Sequence, residues 1–184
     1  MSCVIYLQKF SIGSIPRGGK KAFETRCGRA VLAAALSDIY NIDLDELTFS
    51  FNKYGKPYFE GRSDIHFNIS HSGGYAAAAV CDHPVGVDVQ VVRSVSPRLA
   101  EKVCDACERK YIERSAEPNR AFIRLWALKE SYVKAIGMGM AFPMNEISFR
   151  LGSSDTVTGR ISNKEGLFTL RDYGDYVLAA CVLI

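Results

Sequence analysis

Nowhere does the chain carry an unbroken run of about 18 apolar residues, the length a helix needs to cross a bilayer, so no membrane span is expected. Strong charge of either sign is missing as well. Lys and Arg number 23 against 20 Asp and Glu, a formal charge of +3. Bulk charge this mild gives no argument for a nucleic-acid partner. Cysteine is sparse, six in 184 residues, which does not fit a secreted fold stapled by disulfides. Low-complexity segments are absent, and 48% hydrophobic residues rule out intrinsic disorder. The first ten residues have no basic stretch ahead of their apolar segment and no small-residue cleavage site. Together with the few cysteines this points to the cytoplasm.

What is present reads as an α+β protein. Strands are expected at Val4–Phe10, Leu47–Phe51, Ile65–Ile69, Tyr75–Cys81 and Val85–Val92, and later at Glu146–Leu151, Thr156–Ile161, Leu167–Arg171 and Tyr176–Leu183. The apolar middle of Ala22–Tyr40 predicts a helix buried on most sides. Further helices are expected over Arg98–Glu113, where Pro97 suits the first turn, and Arg120–Ile136, ended by Gly137 and Gly139. Cys104 and Cys107 form a C-x-x-C within the first of these, without a second pair or a neighbouring His. Packing is the reading for Cys107, which shares a helix face with Leu99, Val103 and Tyr111. Both halves mix helix with antiparallel-looking strands, so two similar lobes are expected, residues 1–87 and 88–184.

Charge is uneven along the chain. Residues 1–30 hold Lys9, Arg17, Lys20, Lys21, Arg26 and Arg29 against Glu24 alone, a balance of +5 that suits an anionic ligand. Four stretches are odd as pure structure. Tyr54-Gly55-Lys56-Pro57 fixes a Lys in a turn, where it can offer its ammonium to an anion, although a plain hairpin turn would look the same. Asn68-Ile69-Ser70-His71-Ser72-Gly73-Gly74 ends in a loop, Ser70–Gly74, that can present donors to a phosphate. Ser70 and His71 are adjacent in an extended segment and point opposite ways, so they do not make a nucleophile–base pair. In Gly86-Val87-Asp88-Val89-Gln90, alternation puts Asp88 and Gln90 on one strand face, a carboxylate and an amide oxygen that can hold a hard cation or simply meet solvent. In Trp126-Ala127-Leu128-Lys129-Glu130-Ser131-Tyr132-Val133-Lys134, helical spacing aligns Trp126, Glu130 and Lys134, while Lys129 turns toward the apolar side.

In this order and spacing, His66–Gly73, Gly86–Val89 and Trp126–Lys134, preceded by Tyr54–Pro57, resemble the signature of the 4′-phosphopantetheinyl transferases, in their surfactin-type, double-lobed branch. The resemblance covers about Gly28 to Leu151. It implies two lobes related by a pseudo-two-fold axis, each a small antiparallel sheet packed with helix, and a coenzyme A cleft between them. It implies transfer of the phosphopantetheine arm of coenzyme A to a serine of an apo carrier protein, with release of adenosine 3′,5′-bisphosphate. Mg²⁺ is the implied cofactor, coenzyme A the co-substrate, and a monomer the implied state, with neither nucleic acid nor membrane as partner.

Carried onto this chain, the resemblance assigns Mg²⁺ to Asp88 and Glu130, with Glu130 also the base for the carrier serine and Lys134 on the pyrophosphate. Lys56, Ser70 and His71 are expected at the 3′-phosphate, and the turn at Pro57 near the adenine. Trp126 and Lys129 are expected to support the helix. Many relatives carry Glu where this chain has Gln90, which can bind the ion directly, through water, or not at all. The family's phosphate-binding Arg aligns with Glu24, leaving Arg17, Lys20, Lys21, Arg26 and Arg29 as open substitutes. The competing reading is a degenerate homologue that binds coenzyme A or a carrier protein without catalysis; retention of Asp88, Glu130 and Lys134 speaks against it.

Overall fold

The structure, a computed structural model, describes residues 2–11, 18–152, 157–160 and 165–184; for Met140 and 157–160 it describes the backbone. The chain opens with strand β1 (Cys3–Lys9) and helix α1 (Lys20–Tyr40). A ribbon of β2 (Phe49–Phe51) and β3 (Pro57–Phe59) follows, then β4 (His66–Ser72) and β5 (Tyr75–Cys81). After a turn come β6 (Val85–Val91) and three helices, α2 (Pro97–Val103), α3 (Ala106–Arg114) and α4 (Pro118–Ile136). A second ribbon, β7 (Ser148–Leu151) and β8 (Val157–Arg160), leads into β9 (Gly166–Asp172) and β10 (Tyr176–Leu183).

One topology occurs twice. The first sheet runs β1-β5-β4 and the second β6-β10-β9, antiparallel throughout, each accompanied by a two-stranded ribbon. Strand, helix, ribbon, strand, strand is the order of both copies, with α2 and α3 inserted in the second. This is the α+β, two-lobed architecture expected. The chain crosses from one copy to the other in the turn 82–84, so a division at residues 87 and 88 falls inside β6. One apolar core lies under α1 and a second around α4, and a third joins the lobes through Ala77, Ala79, Val87, Val89 and Leu178. Among the described residues no helix is long and apolar enough to cross a membrane.

The two sheets meet along β4 and β6, and side chains bridge the seam. Asn68 Oδ1, Ser70 Oγ and Ser72 Oγ accept the backbone N–H groups of Val87, Val89 and Val91 at 2.9, 3.2 and 3.2 Å. Gly86 brings α4 onto the same strand. A Cβ there would lie 2.0 Å from the Ser131 carbonyl oxygen and 2.5 Å from the Ala135 nitrogen, so only hydrogen lets the helix backbone seat directly on β6.

Several expectations are corrected. Helix α1 buries one face only, through Cys27, Gly28, Val31, Leu32, Ala35 and Leu36, while Ala30 and Ala34 are exposed; alanine serves a surface position because it is the best helix former. Ser70, His71 and Ser72 belong to β4, with Gly73 and Gly74 alone forming the turn at positive φ, as a two-residue hairpin loop requires. The helix expected over Arg98–Glu113 is two helices. Cys104 is extended, and Asp105 starts α3 with a reciprocal capping box to Glu108. This break reverses the roles of the C-x-x-C: Cys104 is buried and Cys107 exposed. The three-residue β3 is too short to show a period. Of the expected strand Thr156–Ile161, both end residues lie outside the described residues.

The break also frees Glu108 to turn inward. Lys129 Nζ, fully buried on α4, donates to Glu108 Oε2 at 2.7 Å and to the carbonyls of Val103, Met144 and Ile147 at 2.7, 3.1 and 2.6 Å. Glu108 also accepts the N–H groups of Asp105 and Phe149. This satisfied pair ties α2, α3, α4 and β7 together. Lys129→Ala strands a buried carboxylate and three carbonyls, and should cost about 3–5 kcal/mol. Glu108→Ala should cost about as much, and the double variant Lys129→Met/Glu108→Leu less than the sum of the two. Urea denaturation of the four proteins checks this.

Candidate active site

Asp88 lies in the middle of β6, 1% exposed, beside the seam. Its Oδ1 accepts Lys134 Nζ at 2.6 Å and Ser70 Oγ at 3.0 Å; its Oδ2 accepts Gln90 Nε2 at 3.0 Å. Lys134, on α4, also donates to Ser70 Oγ at 3.0 Å and to the Val87 carbonyl at 3.1 Å. The Ser70 hydroxyl thus uses its full capacity, accepting from Lys134 and Val89 and donating to Asp88. One turn before Lys134, Glu130 faces the same cluster. Burial, then the negative charge of Asp88, raises its carboxyl above the ordinary value, and Lys134 pulls it partly back.

Sequence reasoning placed Asp88, Glu130 and Lys134 in one site, and the fold brings them together. It did not place Ser70 there. The signal was the polar alternation Asn68, Ser70, Ser72, which puts all three on one face of the strand. Gln90 does share the face of Asp88, but turns its amide nitrogen to that carboxylate, so it steadies Asp88 in place of offering an oxygen beside it.

The residues expected together at a phosphate are dispersed. His71 faces away from Ser70, toward α1, with Nδ1 3.5 Å from Glu24; strand alternation puts the two side chains on opposite faces. Glu24 in turn is 3.8 Å from Lys20. Lys56 donates to the carbonyls of Val85 and Ala135, 3.0 and 2.9 Å away, bridging β6 and the end of α4. Burial pulls its ammonium down to about 8. Pro57 begins β3 opposite Phe51 and lines, with Lys56, Asn52 and His66, a cavity of about 150 Å³. Of the basic candidates on α1, Arg26 packs over Phe23 and Arg29 over Phe49; Lys20 and Lys21 stand in the first turn, and Arg17 lies outside the described residues.

A buried carboxylate, Asp88, and a half-buried one, Glu130, against one ammonium leave the cluster one negative charge in excess. Oxygen donors of this kind fit a hard divalent cation. The cluster also bears on stability. A carboxyl raised in the folded state binds its proton more readily than in the unfolded chain, so its contribution to stability falls as pH climbs from the unfolded value through the folded one. At pH 7 Glu130→Gln removes that penalty. Without divalent metal, its Tm should exceed wild type at pH 7, with the gap closing at acid pH; differential scanning calorimetry across pH checks this.

Comparison with known proteins agrees with these observations. A profile of the 4′-phosphopantetheinyl transferase superfamily matches residues 84–181, and one for the 4′-phosphopantetheinyl transferase N-terminal region matches 19–83. The chain is 34% identical over 148 residues to the 4′-phosphopantetheinyl transferase gsp of Aneurinibacillus migulanus, covering 79% of this chain and 62% of that protein. It is 28% identical over 165 residues to the 4′-phosphopantetheinyl transferase Sfp of Bacillus subtilis, covering 87% and 74%. It is 30% identical over 157 residues to the L-aminoadipate-semialdehyde dehydrogenase-phosphopantetheinyl transferase of Xenopus laevis, covering 77% and 52%. With a repeated topology, carboxylates and a lysine converging at the seam, and matches to both regions of the family, this chain belongs to the 4′-phosphopantetheinyl transferase superfamily, in its double-lobed branch.

Proposed function

We propose that this chain transfers the phosphopantetheine arm of coenzyme A to a serine of an apo carrier protein, at the cluster of Asp88, Glu130 and Lys134. The observation that supports it is the convergence of β4, β6 and α4 on one buried acid–base cluster between two lobes. The serine oxygen forms a bond to the pantetheine-bearing phosphorus as the bond from that phosphorus to adenosine 3′,5′-bisphosphate breaks. The serine proton passes to Glu130, directly or through water; desolvation and Asp88 make that carboxylate a better base than a solvated one. Lys134, whose three N–H groups are taken by Ser70, Val87 and Asp88, steadies the charge that builds on the leaving phosphate through its positive field, or by exchanging one of these partners for a phosphate oxygen. Asp88 and Glu130 would hold Mg²⁺, which supplies charge neutralisation of the pyrophosphate. Gln90, bonded to Asp88 through its nitrogen, is read as a support for a two-carboxylate site.

The 3′-phosphate end of coenzyme A is assigned to His71 and the first turn of α1, where Lys20 and Lys21 stand at a helix N-terminus without a side-chain cap. Lys56 is assigned a structural role between β6 and α4, because its ammonium is already held by two carbonyls. Two lobes in one chain and six free cysteines support a monomer in the cytoplasm.

Intact mass of an apo carrier protein after incubation with coenzyme A and Mg²⁺ tests the reaction: the carrier should gain one phosphopantetheine per acceptor serine. Asp88→Ala and Glu130→Gln should each slow transfer on the order of 10²-fold or more, and Gln90→Ala far less. Near-normal turnover in a folded Asp88 or Glu130 variant would overturn the assignment.

A second test separates His71 from Lys56. His71→Ala should raise KM for coenzyme A more than it lowers kcat, and should narrow the preference over 3′-dephospho-coenzyme A. Lys56→Met should keep that preference and lower Tm instead. Loss of the preference in Lys56→Met alone would reverse the two roles.

A further inference from the structure

At the far end of the first sheet, away from Asp88, the turn between the lobes gathers a second set of donors. Cys81 ends β5, and Asp82 and His83 follow. The Cys81 sulfur, the Asp82 carboxylate and a ring nitrogen of His83 all lie within 4.8 Å of one another. Asp82 Oδ1 is 3.6 Å from Cys81 Sγ and 2.8 Å from His83 Nδ1. The backbone wraps the sulfur as well, since the His83 N–H donates to Cys81 Sγ at 3.4 Å. Across the strand pair, Cys3 stands directly opposite Cys81. In burial the set is graded: Cys81 is buried, Cys3 and His83 half-buried, and Asp82 exposed. A cation therefore has a solvent path to a dry sulfur.

We propose that Cys81, Asp82 and His83, with Cys3 at the fourth position, form a tetrahedral site for a thiophilic divalent cation such as Zn²⁺, separate from the hard-ion cluster at Asp88. The chemistry decides the class: sulfur and imidazole select zinc-like ions, and Mg²⁺ takes oxygen donors only. The ligand atoms of Cys81, Asp82 and His83 lie within 4.8 Å of one another, and around a tetrahedral Zn²⁺ they would close to roughly 3.5 Å with Cys3 joining from the paired strand. As the metal enters, the Cys81 and Cys3 thiol protons both leave to solvent and the two sulfurs bind as thiolates. His83 binds through Nδ1 as the neutral ring with its proton on Nε2, and the Nδ1 proton held against Asp82 leaves to solvent or moves to Nε2 as that bond breaks. Uptake thus releases protons. The bound ion would clamp β1 to the crossover between the lobes.

The test is titration of the full chain with Zn²⁺ in excess Mg²⁺ against a chromophoric chelator, with Co²⁺ in parallel to reveal thiolate-to-metal charge transfer. One equivalent should bind, with the Co²⁺ thiolate band present. His83→Ala and Cys81→Ala should each weaken binding by roughly tenfold or more, while Asp88→Asn leaves it unchanged. His83 is half-exposed, so its variant keeps the test sound should Cys81→Ala fold poorly. Unaltered affinity in His83→Ala, absence of the thiolate band, loss of binding in Asp88→Asn, or isolation of Cys3 and Cys81 as a disulfide that takes up no metal would each overturn the site.

Discussion

Three side-chain acceptors on one strand hold this molecule's two halves in register. At the seam, β6 turns the N–H groups of Val87, Val89 and Val91 toward Asn68, Ser70 and Ser72 of β4. Buried backbone donors must be satisfied, at a cost of about 1–3 kcal/mol each when they are not. Short polar side chains at alternate positions do here what a neighbouring strand does elsewhere. They fix β4 against β6 to within one residue, since a slip would turn Ile69 and His71 toward the seam. The middle acceptor, Ser70, also bonds Asp88 and Lys134. Lobe registration and site assembly therefore share an atom.

The other half of the site depends on α4, which is held from two sides. Gly86 removes the side chain that would part it from β6. On the opposite side Lys129 and Glu108 anchor it to α2, α3 and β7. Lys129 and Glu130 are neighbours in sequence and opposites in setting. The first is a buried cation whose acceptors surround it; the second is a desolvated carboxylate beside another carboxylate.

Much of this was legible in the residues. The alternation around Asp88 and the helical stripe of Glu130 and Lys134 give the faces those side chains occupy, and their order along the chain gives the family resemblance. What was not legible depended on partners far away in sequence. Ser70 looked like a loop donor because nothing local says that β6 will present bare N–H groups to it. Lys56 looked like a free cation because its acceptors, Val85 and Ala135, come from other elements. The break at Cys104 was hidden inside a plausible helical period, although Asp105 followed by Glu108 is a capping signature that could have exposed it. The short β3 had too few residues for any pattern.

That the seam and the Asp88 cluster proposed as the active site are one structure is tested most directly by comparing kcat/KM with unfolding free energy in Asn68→Ala, Ser70→Ala and Ser72→Ala. Each variant removes one acceptor and should lose stability to a similar degree, about 1–3 kcal/mol. Only Ser70→Ala also removes a partner of Asp88 and Lys134, so its transfer activity should fall well below that of the other two at equal folded fraction. Equal activity in all three variants, with stability lost as expected, would contradict the account.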